Sequence, residues 1–458
     1  MRNVDQQSSI NRREWFRESG ALAAAAGVTT SWLAAGPLRR LVAAEPAEPA
    51  ARPKVAAVLT EFTYRSHAHV ILENFLKPYL FNGQWTDPGV ELVAMYVDQF
   101  PEGRDMARAV SQEFGVPIFG TIGEAVGVGG KELAVDGVLS IGEHGDYPHN
   151  DKGQHEYPRK RFFDEIVAVY ERSGRVAPLF NDKHLSYRWD WAKEMYDTAQ
   201  RLEIPFMAGS SVPLAQRWPA LELAPGSKLK TAVSIHGGGV ESYDFHGLEV
   251  LQSIVEARAG GESGVKSVQF LEGEKLWRAA DEGRWNSAVA EAAMQAELGP
   301  GQPPLPKIVE RLMGNPNAIH GLLVDYRDGF SGTVLAIGGR NRWNFALLAD
   351  GADEPQATTF YVGPWENRNL FKALSHAIQT CIRERRAPYP VERTLLVTGV
   401  LDAAMQSRYE GGTEQQTPQL AIAYQPRNYR AMREMGASWR IITEGMPEPP
   451  GIDPGGRV

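Results

Sequence analysis

The stretch Glu143-His144-Gly145-Asp146-Tyr147-Pro148-His149, with His155 shortly after and Arg159-Lys160-Arg161 beyond, concentrates imidazoles and carboxylates in a short length of chain. Such groups can gather a divalent cation, and His67 and His69 of a Ser-His-Ala-His segment are the partners that would complete a set with His144. The same groups can hold a polar sugar through hydrogen bonds, or stand as a solvated loop. No C-x-x-C or H-E-x-x-H spacing decides for metal.

These residues need elements to hold them. Residues 55–59 form a short, nearly continuous apolar run of the kind buried on both faces of a parallel sheet. Apolar spacing predicts a helix over 67–79. Further strands are expected at 91–97, 115–119, 137–141, 176–180 and 205–208, with helices at 104–114, 160–173 and 189–202. Strands alternating with helices imply right-handed crossovers, hence an α/β, Rossmann-like doubly wound parallel sheet. Ligands of such sheets sit at the carboxyl ends of the strands, where Thr60, Asp98, residues 143–146 and residues 181–184 fall.

After about Pro213 the pattern changes. Strands at 230–236, 265–271, 320–326, 333–338, 344–348 and 358–362, with helices at 245–258, 275–295 and 365–386, predict a C-terminal α+β domain with a mostly antiparallel sheet. The expected division is 54–212 for the first domain, 213–390 for the second, and 391–458 for a last helix (394–406) and an irregular tail.

The ends and the composition bound the function. Arg12-Arg13, an alanine-rich run from Gly20 to Gly36 and small residues at 42–44 predict a twin-arginine signal over 1–44, followed by a Pro/Ala/Glu linker over 45–53. The apolar run is too short and too interrupted for a membrane anchor. Export to the periplasm or beyond is the expected destination. Removing residues 1–44 takes out six basic and three acidic residues and moves the formal charge from -8 to -11. An acidic protein is a poor partner for nucleic acid or anionic membrane, because phosphate contacts need clustered Lys and Arg. A small molecule suits it better, and a homo-oligomer is compatible with all of this. The single cysteine, Cys381, excludes an intrachain disulfide.

Three local motifs give the chain a resemblance. One strand ends at Asp98; Asn181-Asp182-Lys183-His184-Leu185 follows another; and Gly237-Gly238-Gly239 precedes Ser242-Tyr243-Asp244-Phe245-His246-Gly247-Leu248-Glu249. Together with the element order, these resemble the glucose–fructose oxidoreductase and inositol dehydrogenase (Gfo/Idh/MocA) family. The resemblance implies that Lys183 stands at the family's active-site lysine, His246 at its catalytic histidine and Glu249 at its trailing acid, while Asp98 binds the adenosine ribose of NAD(P). Ser242 stands where the family has aspartate, so Asp244 or Glu241 is the candidate for the missing carboxylate. A lysine and a histidine converging on a substrate hydroxyl can polarise it and take its proton while hydride leaves for a nicotinamide.

The turn after the opening strand, residues 60–66, departs from that pattern because it contains no glycine. Aligned on His69, it places Glu61, Thr63 and Ser66 where the family's glycine fingerprint stands. Side chains there crowd a pyrophosphate and a carboxylate repels it. Helix-terminal N–H groups and Arg65 remain as anion donors. The expected site set is therefore catalytic Lys183, His246 and Asp244, with Thr60, Glu61, Thr63, Arg65, Asp98, Glu143 and His144 toward a bound or diverged NAD(P). The favoured expectation is an exported oxidoreductase acting on a sugar or polyol. The alternatives are a metal-dependent hydrolase, lyase or isomerase using His67, His69 and His144, and a non-catalytic carbohydrate-binding relative.

Overall fold

A computed structural model describes residues 51–338 and 342–456. The expected signal segment and most of the linker lie outside the described residues. The opening strand, Lys54–Leu59, is buried along all but its first residue. It is hydrogen-bonded in parallel to Glu91–Val97 on one side and Gly137–Ile141 on the other. That double flanking is why the segment reads as continuously apolar. The whole first sheet runs Ile118–Phe119, Glu91–Val97, Lys54–Leu59, Gly137–Ile141, Leu179–Asp182, Phe206–Gly209, all parallel. Numbered within the sheet, this is the order 3-2-1-4-5-6 of a dinucleotide-type doubly wound fold, with its switch point between the first and fourth strands.

The second sheet has eight strands. Their order is Gln415–Gln416, Val265–Glu272, His320–Tyr326, Ser331–Ala336, Leu229–His236, Trp343–Ala349, Gln356–Tyr361, Gln216–Trp218. Only Leu229–His236 and Ser331–Ala336 pair in parallel; the other pairs are antiparallel. Helix Val391–Tyr409 packs on helix Ser242–Val255, on strand Val265–Glu272 and on helix Trp189–Arg201, so it bridges the two sheets. One apolar cluster is continuous from Val55, Ala57 and Leu59 to Leu322, Val334 and Phe345. Among the described residues no helix is long and apolar enough to cross a membrane.

Several element ends differ from expectation, each for a local reason. The first helix stops at Leu76 because Pro78 disfavours helical backbone at Lys77, which is extended. The next residues form a hairpin, Tyr79–Phe81 with Gln84–Thr86. It turns at Asn82-Gly83 with φ of 48° and 76°, the left-handed pair a two-residue hairpin requires. The long helix expected over 275–295 is two, Gly273–Asp281 and Ser287–Leu298, separated at Gly283 and restarted by Asn286, whose side chain accepts from Val289 N. A further helix, Leu305–Met313, was not expected.

Candidate functional site

Two places at the carboxyl edge of the first sheet were expected to act together, and they differ sharply. The first is the elbow after the opening strand. Ser66 caps helix His67–Leu76: its Oγ accepts from His69 N and from Thr63 N, and donates to Thr63 O. Thr63 Oγ1 donates to Glu61 Oε1 at 2.8 Å, and both side chains are buried. Thr60 Oγ1 donates to Glu143 O at 2.6 Å, tying the first and fourth strands together at the switch point. Arg65, at φ 62°, points its guanidinium to Glu366 (2.8 Å), Asn367 (3.1 Å) and Trp365 O (3.3 Å).

The C-terminal tail covers the same helix. Tyr64 Oη donates to Glu448, and His69 Nε2 donates to Gly451 O at 2.9 Å while its Nδ1 accepts from Arg65 N. Burial, helped by the Arg368 charge, lowers His69 to a pKa of about 4, so it is the neutral tautomer these bonds require. Arg368 is fully buried and clamps Glu73 with two hydrogen bonds, and it also donates to the carbonyls of Pro449 and Gly451. Asp98, expected on a ribose, receives Tyr96 Oη, Tyr147 Oη and Arg161, each at 2.6 Å. Burial alone would raise its pKa, but these donors hold it below the usual range.

These observations correct the expected cofactor contacts. Thr60, Glu61, Thr63, Arg65 and Asp98 are committed to partners within the chain, so this elbow does not fit a pyrophosphate and ribose laid across the helix N-terminus. The His67, His69 and His144 metal set is corrected too, because His69 faces the tail while the other two face a cavity.

The second place is that cavity, of about 380 Å³. Strand Gly137–Ile141 delivers Glu143 and His144 to it, Leu179–Asp182 delivers Lys183 and His184, and Phe206–Gly209 leads to Ser211. The opposite wall is Glu241, Tyr243 and His246 at the start of helix Ser242–Val255, with Trp343 from the second sheet. Asn367 and Phe371, on helix Asn367–Glu384, close one side. Lys183 and His246 thus share one hollow, as expected.

Lys183 Nζ donates to Glu143 Oε1 at 2.7 Å, and Arg159 donates to Glu143 Oε2 at 2.5 Å. Burial alone would raise Glu143, but these two cations hold it well below the usual carboxylate range. His246 Nδ1 is 2.6 Å from Ser210 Oγ. Burial, then the Lys183 charge, push His246 well down, so it is neutral. Burial takes His144 down to about 4. His67 Nδ1 stands 2.6 Å from Asp182 Oδ2, which orients that ring and leaves Nε2 as its acceptor.

Glu241 is the residue that sequence reasoning named only as an option. It is 5% exposed, and its Oε1 is buried without a hydrogen-bond partner. Burial lifts its pKa to about 7 against the pull of Arg159 and Lys183. Its backbone sits at φ 66°, ψ -68°, while His144 and Lys183 have φ of 69° and 63°. Non-glycine residues in this region cost about 1–3 kcal/mol each, and such strain collects where side chains must be aimed.

Asp244 does not line the cavity. Its Oδ1 accepts from His236 (2.9 Å) and His320 (2.8 Å), and its Oδ2 accepts from Glu241 N (2.8 Å). An ionised carboxylate only accepts, so both imidazoles donate from Nε2, and the trio is a hydrogen-bonded triad that fixes Glu241. Burial opposes ionisation, but His320 and His236 hold Asp244 well below its usual pKa. Asp244 is therefore a positioning residue. Glu249 is also withdrawn, buried under Thr394 Oγ1 at 2.7 Å.

The remaining wall is aromatic. Tyr243 and Trp343 are stacked, their ring planes 4° from parallel and their centroids 5.4 Å apart, and His246 stands edge-on to Trp343. A Cβ on Gly238 would lie 1.9 Å from the Tyr243 ring, so the glycine run is what lets that ring fold back. A flat aromatic surface beside convergent polar groups suits a molecule with an apolar C–H face and hydroxyl edges. Arg159 opens the run Arg159-Lys160-Arg161. It is fully buried, and only its neighbours Lys160 and Arg161 reach outward, to Asp164 and Asp98.

No protein-family model and no curated protein matches the sequence. Solved structures do match it. Myo-inositol dehydrogenase from Lactobacillus casei, in complex with NAD(H) and myo-inositol, aligns with 83% of this chain and 100% of its own at 12% identity, with a TM-score of 0.52. Scyllo-inositol dehydrogenase from Lactobacillus casei, with NAD(H) and scyllo-inositol, aligns with 80% and 99% at 10% identity and a TM-score of 0.48. An oxidoreductase from Agrobacterium radiobacter in complex with NAD+, L-tartaric acid and magnesium aligns with 80% and 98% at 11% identity and 0.46. The likeness to the first establishes a shared fold. The chain carries the oxidoreductase fold of the Gfo/Idh/MocA proteins, as the motif resemblance implied.

Proposed function

We propose that this oxidoreductase-fold chain acts on a hydroxyl-bearing carbon of a sugar or polyol held in the cavity between the two sheets. The observation that carries this reading is the convergence of Lys183, His246 and the Glu241 carboxylate, whose Oε1 has no hydrogen-bond partner, on one hollow walled by Tyr243 and Trp343. The ring face of the substrate lies on the aromatic pair. Its hydroxyls meet Lys183 as a donor and neutral His246 as a proton acceptor, the pairing general acid–base catalysis needs.

NAD(P) is the cofactor that the fold suggests for completing an oxidation at such a carbon, and the NAD(H)-bound myo-inositol dehydrogenase of the same fold supports that suggestion. When bound, a nicotinamide supplies the hydride acceptor. The elbow of this chain does not fit the phosphate end of that cofactor, so the chemistry assigned to the chain itself is binding, orientation and proton movement by Lys183, Glu241 and His246.

Thermal unfolding with a panel that includes myo-inositol, glucose and xylose tests the substrate class. At least one member is expected to raise Tm in the intact chain and to lose that effect in Trp343→Ala. A panel without effect on the intact chain contradicts the reading. Export rests on Arg12-Arg13 and the run that follows. Fractionation of cells making an Arg12→Lys, Arg13→Lys variant is expected to find it retained, and normal export of that variant refutes the signal.

A further inference from the structure

The elbow and the cavity pose one question together. A hydride acceptor needs a bed, and here the bed is built over: Ser66 and Thr63 fill the turn, Thr60 closes the switch point, Arg65 is bound to Glu366 and Asn367, and the tail lies across the helix through Tyr64, His69 and Arg368. Asp98 is taken by two tyrosines and an arginine. The cavity, by contrast, keeps three kinds of proton-handling group turned inward. His67 is a base oriented by Asp182. Glu241 presents an oxygen without a partner. Lys183 is a cation braced by Glu143. Groups of this kind without a hydride acceptor serve reactions in which protons move and the substrate's overall oxidation state does not change.

We propose that the cavity catalyses loss of water from a carbonyl-bearing sugar or sugar acid without a dinucleotide, with His67 as the base, Lys183 as the oxyanion donor and Glu241 as the acid. The inference rests on the reading that the cavity takes a sugar. In the step, Nε2 of His67 takes the proton from the carbon beside the carbonyl, and the C–H electron pair forms an enolate whose oxygen Lys183 Nζ stabilises. The pair then forms the C=C bond as the C–O bond to the neighbouring hydroxyl breaks. Protonated Glu241 gives its proton to that oxygen, which leaves as water. The proton on His67 and the charge on Glu241 cancel when both exchange with solvent, so the enzyme ends as it began. Asp182 offsets the charge on His67 during the step, and Asp244 holds Glu241 in place through its backbone N–H.

The test is proton NMR in D2O on the intact purified protein with gluconate, galactonate, fructose and sorbose as probes and no added nucleotide. The expected result is deuterium entering the carbon-bound position beside the carbonyl or carboxylate of at least one probe, with a dehydrated product. The rate is expected to fall by at least about 100-fold in His67→Asn and in Glu241→Gln, the range general acid–base groups supply. Each variant is first shown to be folded by its near-UV circular dichroism, and Glu241→Gln is isosteric. Probes that raise Tm but never exchange overturn this inference and leave the sugar reading intact. Turnover that appears only on addition of NAD+ or NADP+, or tight binding of either by the intact protein, overturns it as well. Absence of any thermal shift with these probes or with the earlier panel removes the sugar reading on which it rests.

Discussion

In the elbow, residues 60–69 with Asp98, buried polar side chains have found partners inside the chain. In the cavity, His144 Nδ1, His184 Nδ1, Ser211 Oγ and Glu241 Oε1 are buried with none. Both regions lie at the carboxyl edge of the same parallel sheet, where the fold places ligands. An unmade buried hydrogen bond costs about 1–3 kcal/mol, so a chain keeps several in one hollow only where something else repays them. The contrast separates what the fold inherits from what this sequence uses. On the proposed reading the elbow serves structure and the cavity serves chemistry.

The largest expected effect falls on the elbow. Arg368→Met breaks a fully buried ion pair with Glu73 and strips the tail of its anchor. It is expected to cost about 3–5 kcal/mol in urea unfolding while leaving sugar binding by the folded fraction unchanged. Loss of sugar binding at unchanged stability would reverse the assignment of the two regions.

The cavity should respond in the opposite sense. Glu241 has a folded pKa of about 7 against an ordinary 4.5, so the unfolded chain holds fewer protons on it between those values, and folding grows less favourable as pH rises through that window. Glu241→Gln is therefore expected to stabilise the protein above pH 7 by up to about 3 kcal/mol, with the gain vanishing toward pH 4. Urea unfolding at pH 4.5 and pH 8 checks it. A pH-independent difference would mean that Glu241 does not titrate between those two pH values.

Smaller effects sharpen the comparison. Ser66→Ala removes the helix cap and is expected to cost about 1 kcal/mol with no change in sugar binding. Asp98 is held below its usual pKa, so its contribution is present at neutral pH and lost as pH falls through the folded value. Tyr147→Phe removes one of three donors to a partly buried carboxylate and is expected to cost under about 1 kcal/mol at pH 7, and less in acid. An acid-independent loss would show that Tyr147 acts through packing alone.

The first sheet was legible because its strands are short, apolar and spaced by helical stretches, and Lys183 and His246 were legible through the family resemblance of the segments that carry them, after a strand end and a glycine run. Asn82-Gly83 carries a hairpin signal, but the apolar period of the expected helix ran on to Tyr79, the first residue of the hairpin. The missing glycines at the elbow were plain in the sequence, but their replacement partners were not. Glu366, Glu448 and Gly451 lie about 300–385 residues away from the side chains they bind, and no local pattern announces such pairs. For the same reason nothing local sets the buried Arg159 apart from its neighbours Lys160 and Arg161. The partnering of Asp244 by His236 and His320, which turns a candidate acid into a support for Glu241, depends on two strands of the second sheet and has no signature in the segment that carries it.

Hydrogen–deuterium exchange of the backbone, read by mass spectrometry with and without added ligand, tests the division of labour most directly. The sugar or polyol giving the largest thermal shift is expected to protect residues 143–144, 183–184 and 241–246, while millimolar NAD+ leaves residues 60–69 and 98 exchanging as before. Protection of residues 60–69 by NAD+, with the cavity segments unmoved by any sugar, would contradict the account.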